Sequence, residues 1–219
     1  MPDRESYLLG KYRCSNHPGY KKITREFSDA SPHYLLKEAA ISFEKMAEKA
    51  KKDGIKLYII AGFRSFSRQK YIFESKFAGE RLVDNVNLLQ KYPQSPEKRI
   101  LKILKYSSVP GTSRHHWGTD LDLNSVSPKY FEKDTGKKVY QWLTKNAPSF
   151  GFYQPYTSGR KVGYNEEKWH WSYIPISKKI LQEFITRFTI KDLKGFKGCN
   201  NLPSFVIKDY VLGINDECI

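Results

Sequence analysis

The stretch Ser113-Arg-His-His-Trp-Gly-Thr-Asp-Leu-Asp122, followed later by Glu167-Lys-Trp-His170, places histidines and carboxylates in two short segments. A catalytic zinc site needs three protein ligands, one coordination position for water, and a base that takes a proton from that water. The two segments supply all of these groups. The chain has only five histidines from which another site could be built. The sequence therefore predicts a zinc centre at these segments.

Two histidines of the first segment are adjacent, so only one is expected to reach the metal. On an extended chain, neighbouring side chains point to opposite sides, which places His115 on the side of Ser113 and His116 on the other. Gly118 interrupts the run and allows the chain to turn before Asp122. We therefore predict that His115 is a ligand and that His116 supports the site or packs beside it.

The aspartates of the same segment alternate with leucines, which predicts a half-buried strand with its carboxylates on one face. Asp122 is a candidate ligand. Asp120 lies on the same face, and three roles are open to it: it can replace Asp122, orient His115 as a hydrogen-bond acceptor, or bind the amine of a substrate. Glu167 is either a base at the metal or a solvated surface charge. It lies three residues before His170, so both reach one zinc ion only if the chain turns or bulges between them.

Taken together, Ser-x-His-x-x-Gly-x-x-x-Asp over 113–122 and Glu-x-Trp-His over 167–170 resemble the zinc site of the VanY-type D-alanyl-D-alanine carboxypeptidases. These enzymes are LAS metallopeptidases of the bacterial cell wall. In that family the first His, the Asp and the last His bind zinc, and the Glu is the catalytic base. The resemblance implies a Zn²⁺ site with the ligands His115, Asp122 and His170, and with Glu167 as the base.

The resemblance extends beyond the metal-binding segments. It includes Ala61–Gln69, where the family has an arginine and a glutamine around the substrate, and Leu8–Lys11 near the start of the chain. Residues from about 5 to 185 are covered. One position departs from the family pattern, since a small residue, often Ala, usually stands where this chain has Asp120.

The implied enzyme is a zinc-dependent D,D-carboxypeptidase that removes the terminal D-Ala from peptidoglycan stem pentapeptides. Arg64 is expected to be both catalytic and substrate-binding, because a guanidinium can hold a developing oxyanion or bind a carboxylate through two hydrogen bonds. Gln69 and Ser113 are expected to contact the terminal carboxylate or the stem backbone. The alternatives are an L,D-carboxypeptidase, a D,D-dipeptidase, a zinc endopeptidase of the endolysin type, and a non-catalytic cell-wall-binding module.

The composition is that of a folded protein with an excess of positive charge. The chain has 219 residues, of which 39% are hydrophobic, and a formal net charge of +15. This length is sufficient for one domain with a sizeable core, and no run approaches the roughly 18 to 20 apolar residues of a membrane span. Acidic residues separate the lysines, and no RNA-binding signature is present, so no specific nucleic-acid partner is expected. The expected partners are peptidoglycan stem peptides, and the protein is expected to be a monomer.

The first residues, Met1–Glu5, lack the apolar core of a signal peptide. We therefore expect either a cytoplasmic protein or one whose leader has been removed, and the resemblance favours the periplasmic or cell-wall side of a bacterium. Cys14, Cys199 and Cys218 are odd in number and have no CxxC spacing. A bridge between Cys199 and Cys218 and a set of three free thiols are equally compatible with this pattern.

Hydrophobic periodicity predicts a single α+β domain in which helices flank a small, largely antiparallel sheet. The resemblance makes this architecture similar to the Hedgehog and DD-peptidase folds. Helices are predicted from 31 to just before Gly54, and at 67–78, 97–106, 139–150 and 178–188; strands are predicted at 55–61, 119–124 and 168–174. The predicted organisation is an N-terminal arm at 1–30, a zinc carboxypeptidase core at 31–188, and a C-terminal extension at 189–219.

Overall fold

The computed structural model describes residues 2–219 and combines helices with short antiparallel strands. The helices are α1 (Arg4–Leu8), α2 (Lys37–Lys52), α3 (Phe66–Phe77), α4 (Leu88–Lys91), α5 (Pro96–Ile103), α6 (Pro128–Glu132), α7 (Asp134–Asn146) and α8 (Ile174–Arg187). The strands are β1 (Tyr20–Lys22), β2 (Tyr34–Leu36), β3 (Ile59–Ala61), β4 (Asp120–Leu123), β5 (Phe152–Tyr153) and β6 (His170–Tyr173). This mixture confirms the predicted α+β class.

The central sheet positions the two metal-binding segments. Its four strands are antiparallel and lie in the order β3-β4-β6-β5, while β1 and β2 form a separate pair. In the register of β4 and β6, Asp122 lies opposite His170, and Leu121 lies opposite Trp171. Two predicted ligands that are far apart in sequence are therefore cross-strand neighbours.

The two faces of the central sheet differ in chemistry. Leu121, Leu123, Trp171 and Tyr173 belong to one hydrophobic cluster, together with the buried side of α2 and residues of α7. The opposite face carries the aspartates of β4 and the alternating polar residues of β6. The prediction of a half-buried strand is wrong, because all four residues of β4 are buried. The 3₁₀ turn Arg114–Trp117 contacts β4, and α8 packs against both this turn and β6.

Several element boundaries differ from the sequence prediction. The first long helix begins at Lys37 instead of 31, because β2 pairs with β1 before the helix starts. The last long helix begins at Ile174 instead of 178, and the proline in its first turn is compatible with a helix start. The predicted strand 55–61 is reduced to β3. The sequence predicts that either Ser65 or Ser67 caps α3, and the structure shows Ser65 in this role, since its side chain accepts a hydrogen bond from the amide of Arg68.

Three tyrosines near the N-terminus support the turn that carries the first histidine. The hydroxyls of Tyr7 and Tyr20 donate to the carbonyl oxygen of Trp117, at 3.1 and 3.2 Å. The hydroxyl of Tyr12 donates to the carbonyl oxygen of His116, also at 3.1 Å. These contacts tie the beginning of the chain to the metal-binding segment. The division into arm, core and extension stays a prediction.

After α8 the chain continues in short helical turns and returns to the loop that follows β5. The amide of Asn215 donates to the carbonyl oxygen of Pro155, at 2.8 Å. Cys14, Cys199 and Cys218 are all free, so the proposed Cys199–Cys218 bridge is absent from the described part of the chain. Over residues 2–219, no helix combines the length and the hydrophobicity needed to cross a bilayer.

Candidate metal centre and substrate cleft

The three predicted ligands converge at one buried point. Ligand atoms of His115, Asp122 and His170 all lie within 4.8 Å of one another. Asp122 Oδ1 is 3.2 Å from His170 Nδ1, and Asp122 Oδ2 is 3.4 Å from His115 Nε2. Asp122 Oδ1 is buried and has no hydrogen-bond partner among residues 2–219. A buried carboxylate oxygen without a partner is unfavourable unless a cation satisfies it.

Hydrogen bonds to the backbone separate the roles of the adjacent histidines. His115 Nδ1 lies 2.9 Å from the carbonyl oxygen of Gly62; when it donates there, Nε2 keeps its lone pair for a metal. His116 Nδ1 donates to the carbonyl oxygen of Arg64, and His116 Nε2 accepts from the amide of Gly111. The predicted packing role of His116 agrees with this placement. The premise of an extended chain was wrong, because residues 114–117 form a 3₁₀ turn, in which successive side chains also diverge.

Gly118 ends this turn and directs the chain into β4, as the sequence predicts. Its φ is +70°, in the left-handed region that favours glycine. A side chain at this position would also collide with the ring of Tyr20. Any other residue here would therefore displace either the N-terminal segment or the turn that carries His115.

Asp120 contacts His170, the second predicted histidine ligand. It is 0% exposed, and its Oδ2 lies 3.0 Å from His170 Nε2 and 2.8 Å from Arg114 Nε. Its Oδ1 accepts from the hydroxyls of Thr119 and Ser172, at 2.7 and 2.9 Å. Of the three roles considered from the sequence, orientation of a histidine is the one found, but the histidine is His170 instead of His115.

The charges around Asp120 determine the ionisation of the site. Burial alone would raise the pKa of Asp120, but Arg114 and His170 outweigh it and hold this pKa well below its usual range. Burial alone would lower the pKa of His170, but its contacts with Asp120 and Asp122 raise it to about 9. Since His170 Nε2 faces Asp120, its Nδ1 faces Asp122 and the metal position.

Glu167 lies beside the three predicted ligands and is not one of them. Its Oε2 is 3.5 Å from His170 Nδ1, and the amide of His170 donates to its carbonyl oxygen at 3.2 Å. This backbone bond forms the turn that the three-residue spacing required. Burial raises the pKa of Glu167 to about 7, and Asp122 adds to the shift. A carboxyl group with a pKa in this range can both take up and release a proton near neutral pH.

Arg64 reaches the metal centre, whereas Gln69 lies behind it. Arg64 Nη2 is 3.5 Å from Asp122 Oδ2, and Nη1 donates to Gln69 Oε1 at 3.1 Å. Gln69 is 0% exposed, and its Nε2 donates to the carbonyl oxygen of Ser108. Ser113 is 1% exposed and does not line the cleft. The structure therefore brings Arg64 to the site and places Gln69 as a support for its guanidinium.

A cleft of about 520 Å³ opens over the metal centre. Its lining residues include three arginines, two glutamates and two tyrosines: Arg64, Arg68, Arg81, Glu166, Glu167, Tyr156 and Tyr164. The ring of Tyr156 lies 4.7 Å from that of His170.

Arg114 is the residue of the site that the sequence analysis missed. It is buried, it pairs with Asp120, and its Nη2 donates to the hydroxyl of Ser172 at 2.6 Å. The departure from the family pattern at Asp120 was the available signal, because a carboxylate added to a buried site requires a positive partner.

Residues 32–176, more than half of the chain, match the VanY family, described as D-alanyl-D-alanine carboxypeptidase. The chain belongs to the VanY family. The resemblance drawn from the sequence is confirmed.

Two relatives show the degree of sequence identity between this chain and the proteins that resemble it. YodJ of Bacillus subtilis, a putative carboxypeptidase, is 28% identical over 157 residues, which cover 68% of this chain and 50% of that protein. A D-alanyl-D-alanine carboxypeptidase of Enterococcus faecalis is 27% identical over 135 residues, which cover 61% of this chain and 46% of that protein. The chain therefore spans about half the length of these relatives.

Solved structures show the same fold. The structure of the LD-carboxypeptidase LdcB has a TM-score of 0.58 at 22% identity and covers 92% of this chain and 81% of that chain. A vancomycin-resistance D,D-pentapeptidase VanY in complex with Zn(II) has a TM-score of 0.51 at 22% identity, with coverages of 70% and 83%. These likenesses confirm the predicted DD-peptidase architecture.

Proposed function

We propose that this VanY-family protein is a zinc-dependent D,D-carboxypeptidase that removes the terminal D-Ala from peptidoglycan stem pentapeptides. The observation that carries the proposal is the convergence of His115, Asp122 and His170, with Glu167 beside them and outside the set of ligands. A site that combines three ligands with a separate base is typical of catalytic zinc, whereas a structural site uses four protein ligands. The substrate places the proposed activity on the cell-wall side of a bacterium.

The residues present fit zinc. Two imidazoles and one carboxylate form a donor set found in catalytic zinc sites. Both imidazoles have a backbone or carboxylate partner on the nitrogen that faces away from the centre, and Asp122 Oδ1 still lacks a partner among the described residues. When bound, Zn²⁺ lowers the pKa of a water molecule and polarises the scissile carbonyl.

Glu167 and Arg64 carry the proposed steps that belong to the protein. Glu167 Oε2 takes a proton from the attacking water and later returns it to the leaving amine of D-Ala. Arg64 holds the oxygen that becomes negative at the scissile carbonyl, or the terminal carboxylate. Gln69 contributes through Arg64, because its Oε1 accepts from the guanidinium. Ser113 contributes as the residue before the turn that carries His115.

Mass spectrometry of defined peptides tests the reaction. The zinc-loaded protein is incubated with a stem pentapeptide, a tetrapeptide, a cross-linked dimer, and a pentapeptide with an amidated C-terminus. We expect the pentapeptide to lose a single D-Ala. The amidated peptide should react at least about a hundredfold more slowly, because the guanidinium loses a charge-assisted partner worth a few kcal/mol.

The other substrates decide between the alternatives. Equal rates on free-acid and amidated pentapeptides would overturn the carboxypeptidase proposal and favour an endopeptidase. Release of D-Ala from the tetrapeptide, with the pentapeptide intact, would instead identify an L,D-carboxypeptidase. Elemental analysis tests the ligands independently: we expect one zinc per chain in the wild type and a strong loss in His170→Ala. Stoichiometric zinc in His170→Ala would contradict the ligand set.

A further inference from the structure

A row of basic side chains extends along the cleft from the metal centre. Arg68, Ile72 and Lys76 are spaced by four residues on α3, so they lie on one face of the helix. Arg68 and Ile72 line the cleft, and so does Arg81, which follows the end of α3. Lys76 lies behind the lining residue Ser107 and donates to its hydroxyl at 2.5 Å. We call Arg68, Lys76 and Arg81 the basic row.

The basic row has no acidic partners. Across residues 2–219, Arg68, Lys76 and Arg81 take part in none of the ion pairs that other charged residues of the protein form. Asp84, which is close to Arg81 in sequence, interacts with Tyr106 instead. Glu167 offsets part of the charge of Lys76, but none of the three cations forms an ion pair among the described residues, so an excess of positive charge remains along the row.

The partial burial of Lys76 lowers the stability of the protein when no anion is bound. Burial lowers the pKa of Lys76 to about 8, and the positive charges of Arg81 and Arg64 add to the effect. Uncompensated positive charge at a half-buried position destabilises a fold unless an anion binds there. An open cleft with cations on its wall is accessible to such an anion.

The proposed substrate carries one negative charge, its terminal carboxylate, at the metal centre. A second carboxylate further along the peptide can reach the basic row. Arg64 lies at the metal, so it is placed for the terminal carboxylate or the oxyanion. The helical rise from Arg68 to Lys76 is about 12 Å, and an extended peptide advances about 3.3 Å per residue. The row therefore accompanies about three to four residues of a bound peptide, which includes those upstream of the terminal D-Ala.

We infer that the basic row is a subsite for a second carboxylate of the stem peptide, carried by the side chain of the residue two positions before the terminal D-Ala. A diaminodicarboxylic acid at this position supplies that carboxylate, whereas a lysine supplies only an amine. The subsite therefore selects stem peptides with the diaminodicarboxylic residue. The inference rests on the proposed function, because it places the stem peptide in this cleft.

Three pentapeptides that differ only at that residue test the subsite. They carry the free diaminodicarboxylic acid, the same residue with its side-chain carboxylate amidated, or lysine. Calorimetry on zinc-loaded Glu167→Gln protein measures affinity in the absence of turnover, and kcat/KM is measured on the wild type. We expect the free acid to bind about tenfold or more tightly than the amide, and the same preference to appear in KM.

Paired variants locate the effect. The double variant Arg68→Gln/Arg81→Gln is made both in the wild type and in Glu167→Gln. It should raise Kd and KM for the free acid, so that the ratio of affinities for the free acid and the amide falls to near one. Lys137→Gln with Lys138→Gln removes the same charge from exposed positions of α7 and should retain the preference. These arginines are exposed, so the variants are expected to fold, and circular dichroism checks this.

The outcomes separate the subsite from the reaction. Equal affinities for the free acid and the amide, or no binding of the free acid, would overturn the subsite, while release of D-Ala from these peptides would still support the proposed function. A preference for the free acid without release of D-Ala from any peptide would support the subsite and overturn the reaction. A preference that survives in the double arginine variant would overturn the assignment to the basic row.

Discussion

The metal centre and the basic row border the same cleft but hold their charges in opposite ways. In the metal centre, Asp120 is fully buried and accepts hydrogen bonds from four side chains, including the guanidinium of Arg114. In the basic row, the amine of Lys76 has only a hydroxyl as a partner, and Arg68 and Arg81 have no ion pair in the described part of the chain.

The paired charges of the metal centre maintain its geometry, whereas the unpaired charges of the basic row are available to bind a ligand. A buried ion pair contributes little net stability, but removal of one partner is costly, because the other charge then remains buried and uncompensated. Such a pair holds His170 in one orientation. An unpaired cation at a cleft lowers the stability of the free protein and is compensated when an anion binds. Substitutions in the two regions should therefore have opposite effects on stability.

The largest effect is expected at Glu167. Glu167→Gln keeps the shape of the side chain but cannot accept the proton of the attacking water, so kcat should fall by about 10² to 10⁴ with zinc content and melting temperature nearly unchanged. Glu132→Gln is the matched control, because Glu132 is exposed and does not line the cleft. It should keep most of the activity. Near-normal turnover by Glu167→Gln would assign the base to another residue.

Asp120→Asn should affect stability and zinc binding together. The amide replaces an acceptor oxygen by a donor that faces the donors of Arg114, His170 or Ser172, and it leaves the guanidinium without a counter-charge. We expect a loss of about 3 to 5 kcal/mol in the free energy of unfolding and a roughly 10- to 100-fold weaker zinc affinity. Denaturant titration and competition with a chelator measure these quantities.

The matched control for Asp120 is Asp216→Asn, at an exposed position, which should change neither quantity. If Asp120→Asn binds zinc as tightly as the wild type, the carboxylate does not orient His170. The paired charges of the metal centre would then not maintain its geometry.

Gln69→Leu tests the support of Arg64. The leucine has a similar volume but removes the acceptor for Arg64 Nη1, so the guanidinium loses its fixed direction. We expect kcat/KM to fall about tenfold with the zinc content unchanged. Gln90→Leu, on the exposed side of α4, is the control. A variant with full activity would show that Arg64 needs no such support.

Lys76→Met should stabilise the protein, in contrast to Asp120→Asn. The folded-state pKa of Lys76 is about 8, below the ordinary value of 10.5. The cost of its burial is therefore fully present below pH 8 and disappears as the pH rises above the ordinary value. The variant should gain about 1 kcal/mol at pH 7, and its advantage over the wild type should shrink towards pH 10.

Lys137→Met, at an exposed position of α7, controls for the substitution itself and should show no pH-dependent gain. Thermal unfolding over this pH range measures both variants. A loss of stability in Lys76→Met at pH 7 would mean that the lysine already has a stabilising partner, and the contrast between the two regions would no longer hold.

The sequence by itself determined the chemistry of the centre. His115, Asp122, His170 and Glu167 were selected by residue type, by spacing and by the resemblance of this pattern to the VanY-type enzymes, and the structure brings them together. Their roles stay a proposal. The same holds for the cap of α3 and the turn at Gly118, because capping and left-handed φ are local properties of a few consecutive residues. The α+β class was predicted because segments with the hydrophobic periodicity of a helix alternate along the chain with segments that have the periodicity of a strand.

Only the tertiary structure decided which groups meet across the fold. Asp120 and His170 are fifty residues apart in sequence, and their contact depends on the pairing of β4 with β6. The start of α2 depends on the pairing of β2 with β1, and the basic row becomes visible only when α3 forms a wall of the cleft. A sequence pattern reports the preference of a segment for one conformation. The partner of a buried charge is set by packing between segments, which no local pattern contains.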